Sequence, residues 1–486
     1  MKISFCFQAL AFLAMGPCVA AQQSVVKEEA QQYTDELNKG ALNRAKKEAR
    51  TAASLQAAGS QERQFGSRTT TLKNGLQVVV VEDRQCPRVS VGVLYRVGSA
   101  DDPAHLTGLS HMSEHMFFVG GSKKYPDAMK AFQQLGCYSN AFTSHDFTMY
   151  VSDGPASALE GILAIEADRM ANYHLQDEKI FLAERGAVFQ ERLMCIENSP
   201  TGLVDEYIQN AITPQHPYGK NVVGSRENIM NYTVDAVNHH IRTWYKPNNA
   251  VLIVIGDVRA EKVFALAQRH FGGIAKGKVP ERKRPAPADL KGQVEQRIVF
   301  ESDLVAAPKG VFFYDNVPHC PEDTMRSVTA FVVGLQAMFN DYVFEFLRYF
   351  VDKKWISDLS YDCGASFDRS PLMIYVSLPE KVSAESFEKI FQERLAQVMK
   401  EGLNKKDFER AKRGCINGIY HRRDSHSFIR QYMVRLAKNL ELEELETLPQ
   451  LFEAVTYEEV MKELRRVLAK KPYATVWYLP AKRGQG

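Results

Sequence analysis

The sequence predicts an α+β protein built from two structurally related lobes, each a mixed or antiparallel sheet packed with helices. Three observations predict it. Strand-like and helix-like runs interleave over stretches of about 200 residues. The second half repeats landmarks of the first at nearly one offset. A basic, proline-containing segment separates the two halves. The 486 residues are 45% hydrophobic and 24% charged, an ordinary globular composition that excludes disordered, collagen-like and small disulfide-scaffold classes. A formal charge of +3 is too small to favour a phosphate backbone or an anionic membrane as partner.

Residues 1–21 read as a secretory signal peptide. Lys2 precedes an apolar stretch from Ile3 to Ala14, and the small-residue run Cys18-Val19-Ala20-Ala21 offers the cleavage site. That stretch is short for a membrane span, and no later run of about 18 apolar residues follows. Cleavage leaves Cys86, Cys137, Cys195, Cys320, Cys363 and Cys415, none in C-x-x-C spacing, so mostly buried thiols are expected. Residues 22–65 are polar, charged and Ala-rich, an exposed helical or disordered extension.

The first lobe is expected over residues 66–274. Strands are predicted around Thr69–Leu72, Leu76–Val81 and Val89–Val97, the β-branched runs on either side of the Cys86-Pro87 break forming a pair. Helical periodicity starts near Leu109, and a strand is expected at Phe147–Val151. Two helices cover Ala156–Tyr173 and Asp177–Met194, and a buried strand lies at Ala250–Ile255. Residues 275–296, with Arg282-Lys283-Arg284, read as a linker and not as a nucleic-acid patch.

The second lobe, residues 297–486, resembles a worn copy of the first. Thr233 opens a helix leading to Lys246-Pro247 and a strand; Thr456, in a capping box, opens another leading to Lys471-Pro472 and the strand Ala474–Leu479. Thr456 follows Thr233 by 223 residues, and Arg413-Gly414 follows Arg185-Gly186 by 228.

The chemistry concentrates in His111-Met112-Ser113-Glu114-His115. At about 100° per residue, His111, Glu114 and His115 share one helical face within an arc of roughly 100°. Imidazoles four apart can hold one Zn²⁺ while the carboxylate between them reaches the hydrolytic water, and H-x-x-E-H is the inverted form of the H-E-x-x-H zinc peptidase motif. A catalytic zinc needs a third protein ligand and an open position. Glu184 and Glu191, seven apart on a predicted helix, point the same way, although two solvated acids would look the same.

These residues resemble the pitrilysin/insulinase family of zinc metallopeptidases, in particular short two-domain members similar to mitochondrial processing peptidase subunits and bacterial secreted relatives. The resemblance runs from about Thr69 to Leu479. It rests on Gly108 to Phe118, on Asn140-Ala141-Phe142-Thr143 with Asp146 and Thr148, on Glu184-Arg185 to Glu191, and on Tyr245-Lys246-Pro247-Asn248-Asn249. It implies one Zn²⁺ per chain held by His111, His115 and Glu191, with Glu114 as general base and Glu184 as the supporting glutamate. It also implies a zinc-dependent endopeptidase that holds its substrate as an added strand on the edge containing Asn140, Ala141 and Phe142. The two lobes would form half of a clamshell, and the leader would deliver the chain to a bacterial periplasm.

At the 228-residue offset, Glu184 and Glu191 become Lys412 and Ile419, so the second lobe is expected to hold no zinc. Active members carry an Arg and, seven residues on, a Tyr that contact substrate. Arg348 fits the Arg, but Trp355 stands in the Tyr position. The expectation is therefore a homologous, zinc-free partner chain supplying that pair, or a homodimer. The second function class is a non-catalytic structural or assembly subunit, which in this family characteristically loses part of the zinc motif.

Overall fold

The computed structural model describes residues 67–481 except 85, 200–201, 204–205, 208–209, 211–215, 283–295, 303–304, 315–316, 319–323, 364–371 and 423–446. The leader, the 22–65 extension, Cys320 and most of the basic linker lie outside the described residues.

Strands β1 (Ser67–Thr71), β2 (Gln77–Glu82), β3 (Arg88–Tyr95), β4 (Tyr138–Thr143), β5 (Thr148–Pro155) and β6 (Ala250–Gly256) make a mixed sheet in the order β1-β2-β6-β3-β5-β4. Lys73-Asn74-Gly75 turns β1 into β2, with Gly75 at φ 90° supplying the left-handed conformation. One pairing differs from the sequence expectation. Strands β2 and β3 do not pair; β6 lies between them, parallel to β2 and antiparallel to β3. The physical reason is burial: Ala250 to Val254 are all buried, so the strand takes an interior place with both edges bonded.

Helices α1 (Leu109–Met116), α2 (Ala128–Gln134), α3 (Leu159–Asn172), α4 (Glu178–Arg192), α5 (Arg226–Asn231), α6 (Val234–Trp244) and α7 (Ala260–Phe271) complete this layer. Helices α3 and α7 cover β3 and β2, while α1 lies against β4 and β5 and touches α4 and α6. Beneath α1, Arg169 and Glu166 form a buried ion pair, the guanidinium 4.3 Å from the Tyr150 ring centroid and 4.6 Å from that of Phe117.

The second sheet comprises β7 (Gln296–Ser302), β8 (Lys309–Tyr314), β9 (Asp358–Cys363), β10 (Leu372–Ser377) and β11 (Ala474–Pro480), in the order β7-β11-β8-β10-β9. Its four pairings repeat those of the first sheet with β1 left out. The parallel pair β11/β7 answers β6/β2, and antiparallel β11/β8, β10/β8 and β10/β9 answer β6/β3, β5/β3 and β5/β4. Helices α8 (Met325–Phe339), α9 (Glu345–Asp352), α10 (Ala384–Glu401), α11 (Lys405–Arg422), α12 (Leu448–Ala454) and α13 (Tyr457–Leu468) pack with it. Helix α8 is buried at every residue from Val328 to Phe339, as an apolar central helix must be. The capping box expected at Thr456 is formed with Glu459. Among the described residues Cys137, Cys363 and Cys415 are buried free thiols, and Cys86 and Cys195 are exposed ones. No described helix is long and apolar enough to cross a membrane.

Candidate metal centre

Helix α1 starts with the help of a distant residue. Gly108, at φ 91°, is its N-cap and has no side chain to accept the first amides. The carboxylate of Asp102 takes that role, accepting from Gly108 N at 2.7 Å, Ser110 N at 2.9 Å and Ser110 Oγ at 2.6 Å. A carboxylate there also suits the positive end of the helix dipole. Ser110 Oγ in turn lies 3.2 Å from Nε2 of buried His240 on α6.

The rest of α1 presents His111, Glu114 and His115 to a cleft of about 610 Å³, which β4 (Asn140 to Thr143), α4 (Glu184 and Glu191) and Val222-Val223 also line. Nε2 of His115 lies 3.4 Å from Glu191 Oε2, and Nε2 of His111 lies 3.6 Å from the same oxygen. Four donors at about 2.0–2.1 Å around a tetrahedral ion sit about 3.3–3.4 Å apart, so these separations suit zinc. All three donor atoms fall within 4.8 Å of one another, and no other trio of His, Cys, Asp or Glu donors converges in this way among the described residues. The imidazole of His111 is the sharper test of fit. It is buried, its Nδ1 has no hydrogen-bond partner, and its Nε2 is beyond hydrogen-bonding distance of Glu191. A cation held at Nε2 would give that buried nitrogen the partner Glu191 does not supply, while Nδ1 would still need one of its own.

Glu184 stands one step back, its Oε2 3.5 Å from His115 Nδ1, the nitrogen facing away from the trio. Burial and the neighbouring carboxylates set the charge of each of these groups. Burial, with the neighbouring His115 charge, pushes His111 down to about 4. Burial works against protonated His115, but hydrogen bonds to Glu184 and Glu191 and the nearby Glu114 lift it to about 9. The His115 hydrogen bond holds the Glu191 carboxyl below its usual range. Burial raises Glu114 to about 7, opposed by a hydrogen bond from Thr143.

That hydrogen bond is the contact that sequence reasoning missed. Thr143 Oγ1 donates to Glu114 Oε2 at 2.6 Å, from the last residue of β4. The signal was present, since Thr143 closes the Asn140-Ala141-Phe142-Thr143 motif, but its partner depends on where the strand meets α1. Asn140, Ala141 and Phe142 line the cleft as well. Arg348 does not: it is exposed on α9 of the second lobe, with Trp355 half-buried beyond the helix end. Lys412 and Ile419 lie on α11, where Lys412 Nζ donates to Val455 O and Ile419 is buried.

Residues 77–226 match the family profile described as insulinase, peptidase family M16, and residues 231–415 match that of the peptidase M16 inactive domain. The chain belongs to the insulinase family, M16. A protein named zinc protease PqqE, from Helicobacter pylori, is 34% identical over 221 residues, 45% of this chain and 49% of that one. This chain thus spans about half the length of that M16 relative. The uncharacterized zinc protease YmxG of Bacillus subtilis is 24% identical over 344 residues, 70% of this chain and 81% of that one. A crystal structure of a protease from Helicobacter pylori aligns with TM-score 0.77 and 26% identity, covering 85% of this chain and all of that one. The M16 fold, two lobes each with a mixed sheet, is therefore shared along most of the chain.

Proposed function

We propose that this M16 chain is a zinc-dependent endopeptidase acting on extended, unstructured polypeptide. The observation that carries the reading is the convergence of His111, His115 and Glu191 around one point with Glu114 beside it. Zinc, one ion per chain, would polarise the scissile carbonyl and acidify a water. His111 and His115 offer Nε2, and Glu191 offers Oε2. Glu184 keeps the His115 ring in its orientation through Nδ1. Glu114 accepts the proton of the attacking water and passes it to the leaving nitrogen; Thr143 fixes which oxygen of Glu114 is free to do so. The outer edge of β4 is the end of the sheet, and its Asn140, Ala141 and Phe142 would receive the substrate as one more strand.

The second lobe supports a two-chain enzyme. It presents Arg348 but Trp355 in place of the tyrosine, so a homologous zinc-free chain would supply the Arg/Tyr pair, with a homodimer as the other arrangement. Export to a periplasm remains part of this proposal through the leader-like residues 1–21, and cell fractionation tests it. The intact donor set favours an enzyme over a purely structural subunit. The decisive experiment is Glu114→Gln. It should retain zinc at one per chain and lose cleavage of an unstructured peptide, and the parent should lose the same activity to a chelator. Full turnover by Glu114→Gln, or by the metal-stripped parent, overturns the proposal.

A further inference from the structure

Glu191 is the last-turn residue of α4, and helix ends fray unless something holds them. The chain does not end α4 with a capping turn. It runs on into a π-helical turn, Leu193–Glu197, and the residue at the junction is Arg192. Adjacent positions on a helix diverge by about 100°, so Arg192 is turned away from the cleft that Glu191 lines. Its side chain is buried and fully engaged. Nε donates to Glu197 Oε1 at 3.0 Å, while Nη1 and Nη2 form a fork onto Glu206 at 3.1 and 3.0 Å. Nη1 also donates to the carbonyl of Gly224.

That last bond reaches the other ligand helix. Gly224 and Gly108 have φ values of 86° and 91°, and their backbones meet: a Cβ added to Gly108 would stand 2.6 Å from the Cα of Gly224. Gly108 is the N-cap of α1, three residues before His111. Thr107, next to it, is tied to the same region: Tyr232 Oη donates to its carbonyl at 2.6 Å, and its hydroxyl donates to the Asn228 amide oxygen at 2.7 Å. A continuous path therefore runs from Glu191 through Arg192 and Gly224 to the start of α1. Glu206 and Glu197 balance two guanidiniums, those of Arg192 and of Arg226, which also pairs with Glu197, so the buried Arg192 is engaged away from Glu191.

We propose that Arg192 is a positioning residue that sets the spacing between the two ligand helices, and hence the seat of Glu191 relative to His111 and His115. This rests on the metal-centre reading given above. Lysine in its place keeps the charge but lacks the fork that engages Glu206, Glu197 and Gly224 together.

The test is zinc affinity of the full chain, measured by competition with a chromogenic chelator, beside the Tm of the metal-free protein. Arg192→Lys should bind zinc about 10- to 100-fold more weakly than the parent. Glu206→Gln, which loosens one arm at a half-buried site, should lose about tenfold. Arg394→Lys in the second lobe, where Arg394 bonds Glu345 and Gln397, is the control and should lower Tm while leaving zinc affinity within about twofold. Zinc affinity within about twofold of the parent in Glu206→Gln, whether or not Arg192→Lys folds, overturns the proposal. A parent that takes up no zinc overturns the metal-centre reading itself.

Discussion

Replacing Thr143 by valine removes one oxygen and preserves the shape of the side chain, which makes it a clean probe of how Glu114 is held. Thr143 Oγ1 stands 2.6 Å from Oε2 of the buried Glu114, the close separation expected of a hydroxyl donating to a carboxylate. A hydrogen bond to a charged group contributes about 1.5–3 kcal/mol. If that restraint acts when Glu114 takes up a proton, its loss lowers kcat by about 10- to 100-fold. The hydrogen bond also opposes the upward push of burial on Glu114, so its removal moves the carboxyl further up and lowers the fraction available as base at neutral pH. Thr143 touches none of the three converging donor atoms, so zinc content should not change. Steady-state cleavage of a quenched unstructured peptide, with metal analysis of the same sample, reads both quantities. Thr143→Ser should recover most of the rate. A zinc-replete Thr143→Val with the parent's kcat would refute the role given to this hydroxyl.

Three further outcomes are expected. Glu184→Gln weakens the grip on His115 Nδ1, 3.5 Å away, and should reduce zinc affinity by about 10- to 100-fold; a chelator titration matching the parent would contradict this. Gly108→Ala forces an L side chain to φ 91° and drives its Cβ to 2.4 Å from Val223 O, so it costs at least about 1–2 kcal/mol and should lower Tm by several degrees in a thermal melt. Buried His240 is pushed from 6.5 to about 3, chiefly by burial. Its neutral form is thus bound by folding, so the stability it supports is complete above pH 6.5 and drains as pH falls through the window from 6.5 to 3. His240→Asn should shrink the loss of unfolding free energy between pH 7 and pH 5 by about 2 kcal/mol in urea titrations, and an unchanged difference would count against it.

What could be read from the sequence was local. The face shared by His111, Glu114 and His115 follows from helical period alone, as does the common direction of Glu184 and Glu191, and α1 and α4 present them so. The interior place of β6 was not legible, because nothing in Ala250–Ile255 names which strands flank it; that is decided by closing both edges of a fully buried run. Thr143 and Arg192 were hidden for a similar reason. Each stands in plain view within a quoted motif or beside one. Their meaning lies in partners 29 residues away for Thr143, and 14 and 32 away for Arg192, reached through strand placement and a loop. Asp102 is a further case, a helix cap supplied from six residues ahead of the N-cap, where a search for Ser, Thr, Asp or Asn at the cap itself finds only Gly108.

Apart from the extra edge strand β1, the two sheets share one pairing scheme, so the lobes differ chiefly in what their helices carry. In the first, α1 must bring two imidazoles and a carboxylate to an open cleft, and it needs Asp102, Gly108 and the Gly224 contact to hold its start in place. In the second, α8 occupies the same place in the order of elements, following β8 as α1 follows β3, is buried from Val328 to Phe339, and carries no histidine or acid. Helix α11 packs on it as α4 packs on α1, presenting a buried Ile419 and a Lys412 tied to the Val455 carbonyl. Returning one acid to such an interior would bury an unpaired charge at a cost of several kcal/mol. The apolar packing of α8 against α11 therefore leaves no place there for an unpaired acid at position 419.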